Sequence, residues 1–297
     1  MKYRTLGRTG MDVSVVALGT WQFGGEWGRD YSVADVAAIL AEARDLGINL
    51  LDTAECYGPD HLSESLIGRA MGPDRGRWFI ATKFGHDYQG HNLRGPAWSV
   101  PAVLAQLDAS LRALRTDYVD LYQFHSGADA EFHQDELWAA LQAQVKAGKI
   151  RHLGISISSQ AENLAQVEAS ARYGLGAVQL VYNRLDTGPE ARVLPACARL
   201  DLGVLARVPL ASGYLSGKYR PGAVFPAGDV RSTQDAGKVR QRLERVQAIQ
   251  REEVPPGVDM AQWALAWCLR NPAVTTVIPG CKDPAQVRSN AAAADLL

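Results

Sequence analysis

Eight times along this 297-residue chain, a short apolar run that ends at a polar residue or glycine gives way to a stretch with helical spacing. The runs are Val13 to Leu18, Asn49 to Asp52, Trp78 to Lys83, Asp117 to Phe124, Ile150 to Ser156, Ala177 to Val181, Val204 to Val208 and Thr275 to Ile278. Short apolar runs bounded by turn residues read as buried strands, and apolar residues three and four apart read as helices. Val36, Ile39, Leu40 and Ala43 mark a helix over 34–47, stopped by Gly47, and Ser99 caps a long one bearing Val103, Leu107, Leu111 and Leu114. Others open at Ser63, run through Leu137 to Val145, and cover 159–172, 190–200, 238–251, the stretch from Met260 to Cys268, and 284–294. A small hairpin through Gly7 and Gly10 precedes them all. Strict strand–helix alternation requires a parallel sheet, because each helix must carry the chain back to start the next strand. Eight such units in about 300 residues predict a closed (β/α)8 TIM barrel with an N-terminal β-hairpin, a single domain over 1–297. The alternative is an open doubly wound sheet, which as a dinucleotide binder would bring G-x-G-x-x-G after its first strand. That motif is absent, and so is a GxxxxGK[ST] phosphate loop.

Composition removes several partners. The formal charge is −1, which favours neither nucleic acid nor an acidic membrane surface. The cysteines, Cys56, Cys197, Cys268 and Cys281, form no CxxC pair and read as reduced thiols of a cytoplasmic protein. The N-terminal stretch has no apolar core of a secretion signal, and no run reaches the ~20 apolar residues of a membrane span. His86 and His91 lie on a glycine-rich loop without ligand spacing or carboxylate support, so no metal site is expected.

In such a barrel the C-terminal ends of all strands share one rim, and that rim holds the active site. Asp52, Lys83 and His125 stand at the ends of three successive strands, and Tyr57 lies in the loop above the first of them. Topology alone therefore gathers a carboxylate, an ammonium, an imidazole and a phenol. A phenol with an ordinary pKa near ~10 is a weak acid, and a neighbouring ammonium favours its ionised form. A carboxylate paired with that ammonium keeps it charged, and the imidazole can hydrogen-bond a substrate oxygen. This set protonates an alkoxide forming from a carbonyl. It contains no nucleophile and base pair: Ser126 follows His125, but no third partner for a triad is evident. Reduction also needs a hydride, which a cofactor carries.

The chain resembles the aldo-keto reductase superfamily over essentially its whole length. The resemblance rests on LGRTGMDVSVVALGTW, LLDTAECYG followed by SESLIG, ATKFG, DYVDLYQFH, GKIRHLGIS, QLVYN, PLASGYLSGKY and VIPGCKDPAQVRSN. It implies a barrel that binds NADPH, with NADH possible, in extended form. It implies Tyr57 as general acid, Lys83 and Asp52 tuning it, and His125 orienting the carbonyl. Carried over by motif, Ser156 and Gln179 hold the nicotinamide amide, and Gly19, Thr20 and Trp21 line the site. The stretch Pro209, Leu210, Gly213 and Lys218 follows the pyrophosphate. Gly280, Lys282, Gln286 and Asn290 hold the adenosine end, with Lys282 the partner of a 2′-phosphate.

Two positions depart from the family pattern. Ile157 stands where an Asn usually follows the serine, and Arg207 stands where an aromatic ring usually stacks on the nicotinamide. A guanidinium plane can also stack on a ring, or anchor an anionic group. Trp21, Phe23, Trp27, Phe84, Tyr88 and Trp98 are expected around an apolar substrate pocket, between mobile walls at 24–28 and 85–95. The expected activity is NADP(H)-dependent reduction of aldehydes or ketones, with a small-molecule carbonyl as partner. The alternatives are a sugar or alcohol dehydrogenase working oxidatively, and a cofactor-sensing auxiliary subunit of a membrane channel. The lack of an extension before the first hairpin speaks against the last.

Overall fold

The computed structural model describes residues 1–158 and 163–297. Its first elements are the antiparallel hairpin β1 (Tyr3–Thr5) and β2 (Asp12–Ser14). The alternation then runs β3 (Leu18–Gly19), α1 (Val33–Asp45), β4 (Leu50–Asp52), α2 (Leu62–Met71) and β5 (Phe79–Phe84). A second hairpin follows, β6 (His86–Gly90) and β7 (Leu93–Pro96), and then α3 (Val100–Leu114) and β8 (Val119–His125). Next come α4 (Asp129–Phe132), α5 (Asp135–Lys146), β9 (Ile150–Ser156), α6 (Leu164–Ala169), β10 (Ala177–Val181), α7 (Val193–Arg199) and β11 (Gly203–Arg207). The last elements are α8 (Ala236–Glu252), α9 (Met260–Arg270), β12 (Thr276–Val277) and α10 (Pro284–Ala291).

Eight strands pair in parallel in the order β12-β11-β10-β9-β8-β5-β4-β3. The two ends of that sheet meet. Val277 N–H donates to Val15 O at 3.0 Å, Ala17 N–H to Val277 O at 2.9 Å and Gly19 N–H to Pro279 O at 3.0 Å. The sheet is therefore the (β/α)8 barrel expected from the alternation. Gly19 is needed at the seam, because a Cβ there would stand 2.6 Å from the Ile278 carbonyl oxygen.

The two ends of the barrel have opposite character. At the floor, Leu6 and Met11 from the first hairpin pack on Leu50, Ala81, Leu121, Ala177 and Leu205. The hairpin thus plugs the bottom with apolar side chains. Toward the C-terminal rim the buried residues turn polar: Asp52, Lys83, Gln123 and Gln179. Each lost its water on burial and needs partners, and the site is built from those partnerships.

The helices follow their sequence signals. Ser32 and Asp35 form a reciprocal capping box at the start of α1, whose buried face is Val36, Ile39, Leu40 and Ala43. Ser99 Oγ accepts the Ala102 N–H at the start of α3.

Several expectations are corrected. The run Val13 to Leu18 serves two sheets: its first part belongs to β2, and only Leu18 and Gly19 lie in barrel strand β3. The division falls where the Asn49 side chain takes the Ser14 N–H at 2.8 Å. Of the helix expected over 159–172, positions 159–162 lie outside the described residues; α6 spans Leu164–Ala169 and is followed by a 3-10 turn at Ser170–Tyr173, where Ser170 Oγ bonds back to Gln166 O at 3.0 Å. The helix at 190–200 starts as a separate 3-10 turn, Gly188–Ala191, because Arg192 leaves helical geometry at φ −141°. The stretch 85–95, expected as a mobile wall, is mostly the β6–β7 hairpin, turning at Asn92 with φ 59°. Asn tolerates that left-handed conformation better than most residues. Among the described residues no helix is long and apolar enough to cross a membrane.

Candidate active site

The register of the sheet assembles the site. Lys83 pairs with Gln123, His125 with Ser156, and Ser156 with Gln179 on adjacent strands. Asp52 closes β4 next to β5, so a long side chain from Lys83 can reach it. Lys83 Nζ donates to Asp52 Oδ2 at 2.9 Å, to Thr53 O at 2.7 Å and to Tyr57 Oη at 3.1 Å. An ammonium has three protons, and each has an acceptor here. Asp52 Oδ1 accepts from Gln179 Nε2 at 2.7 Å and from Gln123 Nε2 at 3.3 Å. A continuous polar chain thus runs from Gln179 through Asp52 and Lys83 to the phenol.

Tyr57 is reached from two sides. The Trp21 indole stacks near it, with ring centroids 6.2 Å apart and an angle of 28°. The His125 imidazole meets it edge-on at 6.2 Å. The loop carrying Trp21 can lie this close because Gly24 faces the Tyr57 backbone, where a Cβ would stand 2.6 Å from the Tyr57 carbonyl carbon.

Desolvation sets the protonation states. It pushes the Tyr57 pKa up to about 12; the Lys83 ammonium opposes this, and the Asp52 carboxylate adds to it. The lowered phenol pKa expected from the sequence is therefore not found: Lys83 pulls in that direction, but loss of water outweighs it. Burial alone would lower the Lys83 pKa, yet Asp52 and Tyr57 raise it above the ordinary lysine value. Burial, against the pull of Glu55, takes His125 down to about 4. For Glu55 burial acts upward, but His125, His86 and Lys83 bring it below its usual value. At neutral pH Tyr57 is therefore a protonated phenol, Lys83 an ammonium, Glu55 a carboxylate and His125 a neutral imidazole.

Beside this chain lies a cavity of about 710 Å³. Its walls include Gly19, Thr20, Trp21, Asp52, Tyr57, His125, Gln179, Arg207, Pro209, Leu210, Gly213, Lys218, Gly280, Lys282 and Gln286. These positions, scattered over the whole sequence, share one space. Lys83 is wholly buried and meets the cavity through Tyr57. Ser156 and Asn290 are buried and are not among the wall residues. Ser156 Oγ has no hydrogen-bond partner, and Asn290 Nδ2 donates to Cys281 Sγ at 3.2 Å.

The two departures from the family pattern touch each other. Arg207 donates from NH2 to the Ile157 carbonyl at 3.1 Å, and its Nε is buried without a partner. Immediately after it, Val208, Ala211, Ser212 and Gly213 all have positive φ, 54°, 49°, 57° and 87°. Positive φ at a β-branched residue such as Val208 is strained.

The pocket aromatics are fewer than expected. Trp21 and Trp27 line the cavity, whereas Phe23, Phe84 and Trp98 are buried in the core. Phe84 and Trp98 pack with Phe124, at 6.0 and 4.5 Å between centroids, in a cluster outside the barrel strands' polar end. Tyr88 lies under the Arg94 guanidinium on the hairpin. In their place the wall near Tyr57 has His86, Asn92 and Arg94, polar residues of the stretch 85–95 expected to wall the pocket. Asn92 and Arg94 are held by Glu26, a buried carboxylate that accepts from Arg94 NH2 at 2.7 and 2.6 Å, from Asn92 N–H at 2.9 Å and from the Trp21 indole, while the His86 N–H donates to Glu55 Oε1 at 3.1 Å. Glu26 thereby ties the β6–β7 hairpin to the first loop. At the far end Arg29, unmarked in the sequence, donates to the Lys282 carbonyl at 2.9 Å. The long segment after β11 crosses the cavity, with a bridge between Asp229 and Trp27, and Arg231 packed 4.1 Å over Phe225.

The chain matches the model of the Aldo/keto reductase family over residues 15–297. It is 36% identical to the uncharacterized oxidoreductase YrpG of Bacillus subtilis, covering 100% of this chain and 92% of that protein. It is 31% identical to a probable voltage-gated potassium channel subunit beta of Oryza sativa, covering 100% and 92%. Among solved structures it is similar to aldo-keto reductase AKR11C1 from Bacillus halodurans in its holo form, with a TM-score of 0.82, 29% identity and coverage of 99% and 91%. With the barrel, the rim chemistry and these likenesses together, the chain belongs to the aldo/keto reductase family and is an oxidoreductase.

Proposed function

We propose that the protein reduces aldehydes or ketones to alcohols with NADPH, and that Tyr57 is the general acid. The observation that carries this reading is the Tyr57 hydroxyl 3.1 Å from an ammonium that Asp52 and Thr53 also hold, at the wall of a large cavity. At neutral pH the phenol keeps its proton and can give it to a carbonyl oxygen as that oxygen gains charge. Lys83 then faces the phenolate that remains, and its charge stabilises it. His125, being neutral, does not compete as the acid, and its edge beside Tyr57 orients the substrate oxygen.

The residues present fit a nicotinamide dinucleotide. Ser156 Oγ and Arg207 Nε are buried polar atoms without partners, and Gln179 lies one strand from each. The positive-φ segment from Val208 to Gly213 is the kind of backbone that turns N–H groups toward an anion. Lys218, Arg29 and Lys282 add positive charge along the same cavity. In this reading Ser156, Gln179 and Arg207 hold the nicotinamide, with Gly19, Thr20, Trp21 and Asp52 around it. Pro209, Leu210, Gly213 and Lys218 follow the pyrophosphate. Gly280, Lys282, Gln286 and Asn290 hold the adenosine end. Bound there, the reduced nicotinamide supplies the hydride.

His86, Asn92 and Arg94 make the pocket more polar than its sequence implied, which favours carbonyl substrates that carry hydroxyl or anionic groups. The test is Tyr57→Phe: NADPH affinity stays within about twofold while kcat falls roughly 10²-fold or more. Turnover like the wild type in that variant defeats the assignment. The same site run backward oxidises alcohols, and NAD⁺ preference is the mark of that direction. A second reading, a cofactor-sensing auxiliary subunit, draws on the name of the rice relative, and steady multiple turnover of a carbonyl panel counts against it. We read 1–297 as one domain. Four buried free cysteines support a reducing, cytoplasmic location.

A further inference from the structure

Three metal-ligating atoms converge beside Tyr57, and the proposed reduction gives them no joint role. His125 Nδ1 lies 3.3 Å from Glu55 Oε1 and 3.7 Å from Cys56 Sγ. All three ligand atoms lie within 4.8 Å of one another. Zinc bonds of about 2.0–2.3 Å at tetrahedral angles hold their ligand atoms roughly 3.3–3.7 Å apart. Both imidazole separations fall in that interval before any ion is placed between them.

A second, independent feature points to a cation. Glu55 is 4% exposed, and its Oε2 is buried with no hydrogen-bond partner. A buried carboxylate oxygen without a partner is costly, and a metal ion is a partner that removes the cost. The ligand types also agree. Thiolate, imidazole and carboxylate together suit zinc, whereas magnesium and calcium prefer oxygen alone. The thiolate and the carboxylate cancel the charge of a divalent ion, so the filled site is neutral in its buried surroundings. Access is open, because Cys56 and His125 both line the cavity.

We propose that Glu55, Cys56 and His125 form a three-ligand zinc site whose fourth position faces the cavity. On binding, the Cys56 sulfur releases its proton to solvent as the zinc–sulfur bond forms, and His125 coordinates through Nδ1 as a neutral ligand. Burial holds the free Cys56 thiol protonated, with the nearby Arg94 charge opposing this, so it is the zinc–sulfur bond that displaces the proton. The bound ion fixes the His125 ring and sets a positive charge beside Tyr57, so zinc inhibits carbonyl reduction. That last clause rests on the reading of Tyr57 and His125 as the reducing site; the coordination does not.

The experiment uses the full chain, stripped of metal and titrated with Co²⁺ as a spectroscopic probe and then with Zn²⁺. The expected result is one ion per chain, with tetrahedral visible bands and a thiolate-to-cobalt charge-transfer band, both displaced by zinc. Cys56→Ser loses the charge-transfer band, and Glu55→Gln keeps it with affinity reduced about tenfold or more. Cys197→Ser, at a buried cysteine far from the cluster in sequence, retains the whole spectrum; circular dichroism checks that each variant is folded. A charge-transfer band that survives in Cys56→Ser, or no ion bound at submillimolar metal, overturns the site. Inhibition is read as NADPH-dependent turnover with and without zinc, each variant against its own zinc-free rate, and a chelator reverses it. Cobalt spectra as expected with no inhibition would overturn the placement of the metal at the reducing centre, while the coordination stood.

Discussion

Replacing Lys83 by methionine separates the two tasks of the buried ammonium. Lys83 is wholly buried, and its charge is matched by Asp52 at 2.9 Å. Removing one partner of a buried pair costs about 3–5 kcal/mol, because the other charge stays behind. Asp52 retains bonds from Gln179 at 2.7 Å and Gln123 at 3.3 Å, which puts the loss near the lower end, about 3 kcal/mol. For a chain of this size that is a fall in Tm of about 5 °C. The second task concerns the phenol. Without the ammonium the main offset to desolvation at Tyr57 is gone, its pKa rises further, and the phenolate left after proton transfer loses its hydrogen-bonded counter-charge. The expected loss in kcat is about 10²- to 10⁴-fold. The double variant Asp52→Asn with Lys83→Met removes the stranded charge, so it regains most of the lost Tm but none of the lost kcat. Thermal melting followed by dichroism and NADPH consumption followed by absorbance give the two readouts on the same samples. Reasoning from a stabilised phenolate is refuted if the double variant regains turnover together with stability, or if Lys83→Met turns over within about threefold of the wild type.

Three other outcomes follow from the same geometry. His125 has its pKa lowered to about 4, so its contribution to stability is present above the ordinary value of 6.5 and is lost as pH falls toward 4. The loss is at most about 3 kcal/mol, and it appears as a urea midpoint that declines between pH 6.5 and 4 and declines less in His125→Asn. Arg207→Met removes a guanidinium whose Nε has no partner, so the cofactor-free protein melts about 2–5 °C higher while NADPH affinity falls several-fold; a variant that lost both, or changed neither, would remove Arg207 from the cofactor site. Lys282→Ala weakens NADPH about tenfold and leaves NADH nearly unchanged, as read by fluorescence titration, because only NADPH carries the 2′-phosphate that a lysine there would meet.

The architecture was legible because the barrel strands are short, largely apolar runs that alternate with stretches of helical spacing. Parallel topology then does the rest, placing Asp52, Lys83 and His125 on one rim from their positions at strand ends alone. The protonation of the rim was not legible. The sequence names the neighbours of Tyr57 but not the loss of water around it, and that loss decides the direction of its pKa. Contacts between residues far apart in the chain were also hidden. Glu26 meets Arg94 across 68 positions, and Glu55 meets His125 across 70, with no motif linking them. The β6–β7 hairpin escaped notice because its exposed, polar residues carry no apolar alternation. The pocket aromatics were overcounted because an aromatic beside a strand end can turn outward to the helices, as Phe84 and Trp98 do.

The central claim is that a hydride from the nicotinamide and a proton from Tyr57 reach the same carbonyl. The direct measurement supplies NADPH deuterated on its nicotinamide ring, follows a hydroxyaldehyde to product by mass spectrometry, and compares the wild type with Tyr57→Phe under single-turnover conditions. The account predicts deuterium on the alcohol carbon of the wild-type product, and the same labelled product formed roughly 10²-fold or more slowly by the variant. Unlabelled alcohol, or equal rates from the two proteins, would contradict it.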